Sequence, residues 1–167
     1  MVCKRVIDVD PDTQLRTLAL SDAPSIWRLV EKNHSHLSPW INGVNPVYTL
    51  EDAKDFIKAV QKQSSLLLGF QYGLYYKREL VGIVGCPIII PKKSMAFLGY
   101  WIDQDHQGKG LVIKSCKALI EELSRLEINK ISIECEPENI RSQNVALRLG
   151  FKKAISKNKK YIYCYAN

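Results

Sequence analysis

The sequence predicts a mixed α/β (α+β) fold, one central sheet with helices on both faces. Three observations carry that expectation. Segments of strand period and helix period interleave in the order β-α-α-β-β-β-α-β-α-β-β. The hydrophobic content of 46% is ordinary for a globular chain, and 167 residues bury enough surface (about 70% of what the unfolded chain exposes) to need no disulfide or metal staple. Finally, a strand hands over to a helix through Gly108-Lys109-Gly110, a strand–loop–helix junction common in ligand-binding α/β domains. One domain over residues 1–167 is expected.

The elements follow in order. Asp8-Val9-Asp10-Pro11-Asp12 spaces its acids like a calcium loop. However, Thr13 stands at the sixth position, where Gly is needed, and Ala19 at the twelfth, where Glu is needed, so the segment is read as a turn. The first strand is expected at Gln14–Leu18. Ser21 then caps a helix over Asp22–Lys32, with Ile26, Leu29 and Val30 on one face. Asn33–Val47, with Pro39, Gly43 and Pro46, reads as irregular. Thr49-Leu50-Glu51-Asp52 is a capping signal for a second helix to Gln63, whose buried stripe is Ala53, Phe56, Ile57 and Val60. Leu68–Tyr76, Glu79–Ile90 and Met95–Asp103 read as three strands, the first two joined by a Lys77-Arg78 turn. Cys116, Leu119, Ile120, Leu123 and Leu126 recur at helical spacing and predict a helix over Gly110–Leu126. Lys130–Cys135 alternates as a strand. Ser142–Leu149 is a short helix that Gly150 ends, and Phe151–Ile155 with Tyr161–Tyr165 are two final strands around a Lys-rich turn. The count is about seven strands.

Charge and cysteines exclude several classes. Lys and Arg number 24 against 17 acids, a net charge of +7. The densest basic cluster, Lys152, Lys153, Lys157, Lys159 and Lys160, has no aromatic stacking platform and no nucleic-acid motif around it, so it is read as a solvated hairpin tip. The five cysteines form no CxxC pair; they are read as reduced thiols of a cytoplasmic protein. The longest apolar stretch, Leu80–Ile90, is far shorter than the ~20 residues of a membrane span, and Met1-Val2-Cys3-Lys4-Arg5 carries no secretory pattern. His34 and His36 lack a third metal ligand, so no metal is expected.

The chemistry concentrates in Gly99-Tyr100-Trp101-Ile102-Asp103-Gln104-Asp105-His106-Gln107-Gly108-Lys109-Gly110-Leu111-Val112. Glycines let a backbone turn tightly against a ligand. The helix N-terminus adds unpaired N–H groups and the positive end of a dipole, a setting for a pyrophosphate. Lys109 adds a charge. No Walker Gly-Lys-Ser/Thr follows, and Ile113 stands where a dinucleotide loop needs its last Gly. A plain tight turn remains the bland alternative.

Gln107-Gly108-Lys109-Gly110-Leu111-Val112 resembles the Gln/Arg-x-x-Gly-x-Gly/Ala loop of the GNAT superfamily of N-acetyltransferases, with Val112 in place of the usual last Gly or Ala. Further segments resemble the RimJ/RimL-like branch, the ribosomal-protein-alanine and ribosomal-protein-serine N-acetyltransferases. They are Leu15-Arg16-Thr17-Leu18 with Ser21-Asp22-Ala23, Leu37-Ser38-Pro39-Trp40, Gly99-Tyr100-Trp101-Ile102, Asn139-Ile140-Arg141-Ser142 and Leu149-Gly150-Phe151. The resemblance runs along nearly the whole chain. It implies a mostly antiparallel sheet whose fourth and fifth strands splay apart to admit the pantetheine arm of acetyl-CoA.

Roles follow by resemblance. The Trp101-Ile102 backbone would pair with the arm, and the amides of Gln107, Gly108, Lys109, Gly110, Leu111 and Val112 would hold the pyrophosphate. Asn139 would hydrogen-bond the arm. Ser142 would lie near the sulfur and donate to the departing thiolate, or cap its helix, two compatible roles. The implied reaction is direct transfer of acetyl to a primary amine. For the general base, the branch offers a Glu two residues before the Gly-Tyr pair, where this chain has Phe97; Glu134 and Glu136 are the candidates left, beside a water chain or an amine that arrives neutral. Trp40 and Tyr100 are candidate acceptor-cleft residues. The implied acceptor is a protein N-terminal α-amine, acidic to suit the basic chain, with a small-molecule amine as the alternative. A non-catalytic acyl-CoA-binding module is the alternative of another class. The family also forms homodimers, for which the short last strands are available.

Overall fold

The computed structural model describes residues 4–45, 47–154 and 160–166. Its strands are β1 (Val6–Asp10), β2 (Thr13–Thr17), β3 (Phe70–Tyr76), β4 (Glu79–Ile90), β5 (Met95–Ile102), β6 (Lys130–Cys135), β7 (Lys152–Ala154) and β8 (Tyr161–Ala166). Its helices are α1 (Ala23–Lys32), the single turn α2 (His34–Leu37), α3 (Leu50–Ser65), α4 (Leu111–Arg125) and α5 (Ile140–Arg148). The strands form one sheet in the order β1-β2-β3-β4-β5-β6-β8-β7. Every pairing is antiparallel except β5 with β6, which α4 connects by a crossover.

Each face of the sheet is buried by its own helices. On one face Leu15, Tyr72, Leu74 and Val84 pack with Cys116, Leu119 and Leu123 of α4 and Ala146 of α5. On the other, Leu18 and Ile83 meet Ile26 and Val30 of α1 and Ala53 and Ile57 of α3. Ile57 is fully buried, so its side chain contributes about 1.5–3 kcal/mol by leaving water. The α3 start is capped as its sequence predicts: Thr49 Oγ1 accepts from Asp52 N, and Asp52 Oδ2 accepts from Thr49 N at 2.7 Å.

Four expectations need correction. The turn expected over Asp8–Asp12 is confined to Pro11-Asp12, and Val6–Asp10 is a strand, which makes eight strands. Pro11-Asp12 reverses the chain between Asp10 and Thr13, Ile7 faces the core, and exposed Asp8 accepts from Gln14 Nε2 at 2.7 Å. The outward acids of β1 gave it a loop-like composition. Second, Ser21 caps nothing: Leu20–Asp22 is a 3-10 turn closed by Asp22 Oδ2 accepting from Ala19 N, and α1 begins at Ala23. Third, the irregular stretch after α1 contains α2, whose turn is pinned by buried Leu37. Fourth, α5 begins at Ile140, with Asn139 Oδ1 accepting from Ser142 N at 3.1 Å, so Asn139 is the cap.

The sheet opens in its middle. Cys86 and Pro87 of β4 together face the single Leu98 of β5, a bulge, and Pro87 has no N–H to give the ladder. Just past that point β5 leaves β6: their pairing runs Met95–Lys130, Ala96–Ile131, Phe97–Ser132 and stops. The splay implied for the fourth and fifth strands is therefore present between β5 and β6, renumbered by the added β1. The Lys-rich turn at 155–159 and Cys3 lie outside the described residues. Cys116, Cys135 and Cys164 are free thiols, the first two buried, and Cys86 is buried as well. Burial pushes the Cys116 thiol up, out of the reactive range. No described helix is long and apolar enough to cross a membrane.

Candidate active site

Beyond β5, Asp103 leads into a 3-10 turn (Gln104–His106), and Gln107 to Gly110 lead into α4. Gly108 and Gly110 both take the left-handed conformation, with φ of +74° and +72°. Apart from the adjoining backbone, nothing lies within 4 Å of where a Cβ would stand at either. A side chain there would project into open space. Gly110 is also the N-cap of α4, with no side-chain acceptor for the first-turn amides and no acid in that turn. Thus α3 satisfies its own N-terminus with Thr49 and Asp52, whereas α4 leaves its N–H groups aimed at the cleft. Those amides and the dipole end suit a pyrophosphate. Val112, at the position of the usual Gly or Ala, packs against the core cluster under α4. Lys109 is exposed and holds its ammonium 5.7 Å from the centre of the Tyr76 ring.

The turn before this loop is braced from α1. Asp103 is 2% exposed and accepts from Lys32 Nζ, Asn33 Nδ2 and His106 Nδ1, each at 2.9 Å. Buried Asn33 also donates to Leu29 O and accepts from Gln104 N. Burial alone would raise the Asp103 carboxyl. The donors from Lys32, Asn33 and His106 outweigh it and hold the pKa down at about 2. Lys32 also reaches Asp105 at 2.7 Å.

The unpaired edge of β5 can be read from its alternation. Asp103 N donates to Val81 O, and Trp101 O lies against Gly82 of β4. The backbone groups of Tyr100 and Ile102 therefore point the other way, into the splay. Of the expected pair Trp101-Ile102, only Ile102 turns its backbone to the slot, and Tyr100 joins it. On side chains the alternation reverses the partners: Trp101 packs on the α1–α3 face, while Tyr100 reaches α5. The Tyr100 hydroxyl sits 3.0 Å from Ser142 Oγ and 3.2 Å from Ser142 O. Burial pushes its phenol up, so it stays protonated at neutral pH. With Asn139 capping α5, the Ser142 hydroxyl is not used as a cap. It lies among Tyr100 and Cys135, whose thiol burial pushes up and Ser142 pulls down.

A cleft of about 1090 Å³ joins these parts, lined on one side by the 107–113 segment and α5 and on the other by the loop after α2. Trp40, Phe56 and Trp101 give that second side an aromatic lining. Tyr100, expected beside Trp40, lines the cleft from the opposite face of β5. Glu134 is exposed at the end of β6 and Glu136 pairs with Lys160 at 3.4 Å; both border the cleft. The other charged lining residues are Lys109, Arg141, Arg148 and Lys160. Sequence reasoning gave no role to Asn33, Asp103 or His36. The Asp103-x-x-His106 spacing within a short turn was the signal available for the second. The first and third are brought to the site by contacts some seventy residues away.

Residues 13–152 match the family described as Acetyltransferase (GNAT) domain. The ribosomal-protein-serine acetyltransferase of Escherichia coli (strain K12) is 27% identical over 146 residues, covering 87% of this chain and 82% of that protein. The ribosomal protein uS5-alanine N-acetyltransferase of the same organism is 30% identical over 138 residues, 76% and 70% respectively. Among solved structures, RimL, a ribosomal L7/L12 α-N-protein acetyltransferase in complex with coenzyme A, superposes with a TM-score of 0.90 at 24% identity over 96% of this chain and 97% of that one. The microcin C7 self-immunity acetyltransferase MccE, in complex with acetyl-CoA and AMP, gives 0.91 at 24% identity over 99% and 98%. Among the described residues no His, Cys, Asp and Glu group could hold a metal ion.

Proposed function

Because the chain belongs to the GNAT acetyltransferases and is an acetyl-CoA-dependent N-acetyltransferase, we propose that its acceptor is a protein N-terminal α-amine followed by acidic residues. The observation that carries this reading is the scarcity of carboxylates in the cleft. Glu134 and Glu136 are its acids among the described lining residues, Glu136 is engaged by Lys160, and four Lys and Arg side chains border the same space. A polyamine or lysine side chain, at a pKa of about 10.4, arrives almost wholly charged and needs both an acidic cradle and a strong base. An α-amine, at about 7.7–8.0, is already neutral in roughly a tenth of molecules at pH 7. The basic lining then favours acids further along the acceptor. The ribosomal-protein substrates named for the relatives agree with that choice.

Acetyl-CoA supplies an activated thioester. The chain's part is to hold and orient it. The loop amides from Gln107 to Val112 bind the pyrophosphate, and Asn139, beside the slot, contacts the arm through what its capping bond leaves free. Tyr100 and Ile102 offer their backbone edge to the arm. Glu134 is the carboxylate left to take the amine proton, directly or through water. Ser142 Oγ donates a hydrogen bond to the departing thiolate. Tyr100, protonated at neutral pH, holds that hydroxyl from behind. A thiolate is a good leaving group, so stabilising it is enough.

The test is acetylation of peptides that start with Ser or Ala, followed by acidic or by basic residues, with spermidine as a third acceptor, read by mass. The acidic peptides are expected to react fastest. Preferential turnover of spermidine or of internal lysines overturns the reading. In the same assay Ser142→Ala should lower kcat about 10- to 100-fold with KM for acetyl-CoA little changed; an unchanged kcat removes Ser142 from the chemistry.

A further inference from the structure

His36 stands where three separate elements meet. It lies on α2; its Nε2 is 2.6 Å from Gln107 Nε2 at the start of the phosphate loop, and its Nδ1 is 3.4 Å from an Arg141 guanidinium nitrogen at the start of α5. The donors and acceptors fix its state. If the Gln107 amide nitrogen donates to Nε2, the imidazole proton must sit on Nδ1, where it confronts the N–H of Arg141. Turning the amide by half a turn, which exchanges its oxygen and nitrogen, removes the conflict. Nε2–H then donates to Gln107 Oε1, and the Nδ1 lone pair accepts from Arg141.

Resting on the acetyl-CoA reading above, we propose that His36 is a positioning residue: as a neutral imidazole protonated on Nε2, it ties the acceptor-side turn α2 to both walls of the cofactor slot. Gln107 and Arg141 are thereby held against the site of the pyrophosphate and the arm. The tie also works in the other direction. Trp40 N and Ile41 N both donate to Leu37 O, so the acceptor wall continues rigidly from the turn that carries His36. Fixing α2 to the loaded loop sets Trp40 relative to the thioester.

The tie needs a neutral ring. A second proton would occupy Nδ1 and place a cation against Arg141. Burial and the Arg141 charge both lower the His36 pKa from its ordinary value, with the Asp103 carboxylate pulling weakly the other way. A depressed pKa means that the tie is whole at and above the ordinary histidine pKa and is lost as pH falls through the lower, folded-state value.

Two readouts test this. Imidazole nitrogen shifts by NMR should show His36 as the Nε2–H tautomer, titrating below a free histidine and moving in Gln107→Leu and Arg141→Gln. Calorimetry with coenzyme A at about pH 8 and at a pH below the His36 midpoint found in that titration supplies the second. His36→Ala should weaken binding about tenfold at the higher pH and abolish the further weakening that the wild type shows at the lower. His36→Gln, whose amide can donate to Gln107 and accept from Arg141, should restore most of the affinity without the pH dependence. Coenzyme A's own titration is common to all three proteins and cancels. A Nδ1–H tautomer, or equal affinity of wild type and His36→Ala at both pH values, overturns the proposal. A wild type that binds no coenzyme A sinks the acetyl-CoA reading instead, and the tautomer still decides the tie.

Discussion

Gly110→Asp should abolish acetyl-CoA binding while leaving the fold in place. Gly110 is the N-cap of α4 at φ +72°, and a side chain there enters open space beside the unpaired first-turn amides. Asp is among the residues that tolerate the left-handed region, so the backbone cost is about 1–2 kcal/mol. A negative charge at a helix N-terminus returns roughly 0.3–1 kcal/mol of it. The same charge stands where the pyrophosphate must bind and competes for the same N–H groups. Affinity should fall more than about 100-fold, since several charge-assisted hydrogen bonds are lost and a like charge is added. Calorimetry measures it, with circular dichroism and the thermal midpoint to verify the fold. Gly110→Ala separates the two causes: it carries the backbone strain without the charge and should lose far less. Binding by Gly110→Asp within a few-fold of wild type would show that the ligand does not use this helix terminus.

Asp103→Ala should cost about 3–5 kcal/mol, because it removes the acceptor of three donors, of which Asn33 and His106 are largely shut from water and lose about 1–3 kcal/mol each, while the half-exposed Lys32 adds less. Three donors, from Lys32, Asn33 and His106, converge on this carboxylate at 2.9 Å. Lys32 can fall back on exposed Asp105, but Asn33 is buried and loses a partner outright. At this chain length each kcal/mol moves the midpoint by roughly 2–4 °C, so a fall of about 6–20 °C is expected. Because Asn33 also holds Gln104 N, the phosphate loop should loosen and KM for acetyl-CoA should rise. The pH dependence has a definite sign. The folded pKa, about 2, is below the ordinary 3.8, so the unfolded chain binds the proton more readily. The contribution, about 2 kcal/mol by linkage, is complete above the ordinary value and disappears as pH falls through the folded one. Asp103→Asn removes that titration, so its denaturant midpoint should fall less steeply than wild type between about pH 4 and pH 2. Parallel acid profiles for the two proteins would count against this account of Asp103.

The residues differ in how openly they announce themselves. The phosphate loop is legible because its chemistry is local: Gly108, Gly110 and the start of α4 lie within a few residues, and left-handed turns are written in glycines. The α3 cap, Thr49 to Asp52, is legible for the same reason. Strand β1 was hidden by its outward acids, Asp8 and Asp10, because a strand with one polar face and few residues resembles a loop in composition. The boundary of α5 was misplaced because two residues, Asn139 and Ser142, were both chemically able to cap it. Only the backbone geometry assigns the cap to Asn139 and leaves the Ser142 hydroxyl beside Tyr100.

By itself the sequence determined the mixed sheet, the order of its elements apart from β1 and α2, the glycine loop at the head of α4 and the acetyltransferase family. The sheet and the loop rest on period, turn chemistry and short-range spacing, which survive without knowledge of the fold; the family rests on the resemblance of several short motifs in order. Tertiary structure alone decided which edge groups of β5 face the slot, through the alternation set by Asp103 N and Val81 O. It alone brought Asn33 and Lys32 to Asp103, and His36 to Gln107 and Arg141, contacts spanning 70 to 105 residues. Such pairs leave no periodic trace in a chain. A buried carboxylate or an uncharged imidazole is defined by the donors, acceptors and solvent exclusion that arrive only when distant segments pack.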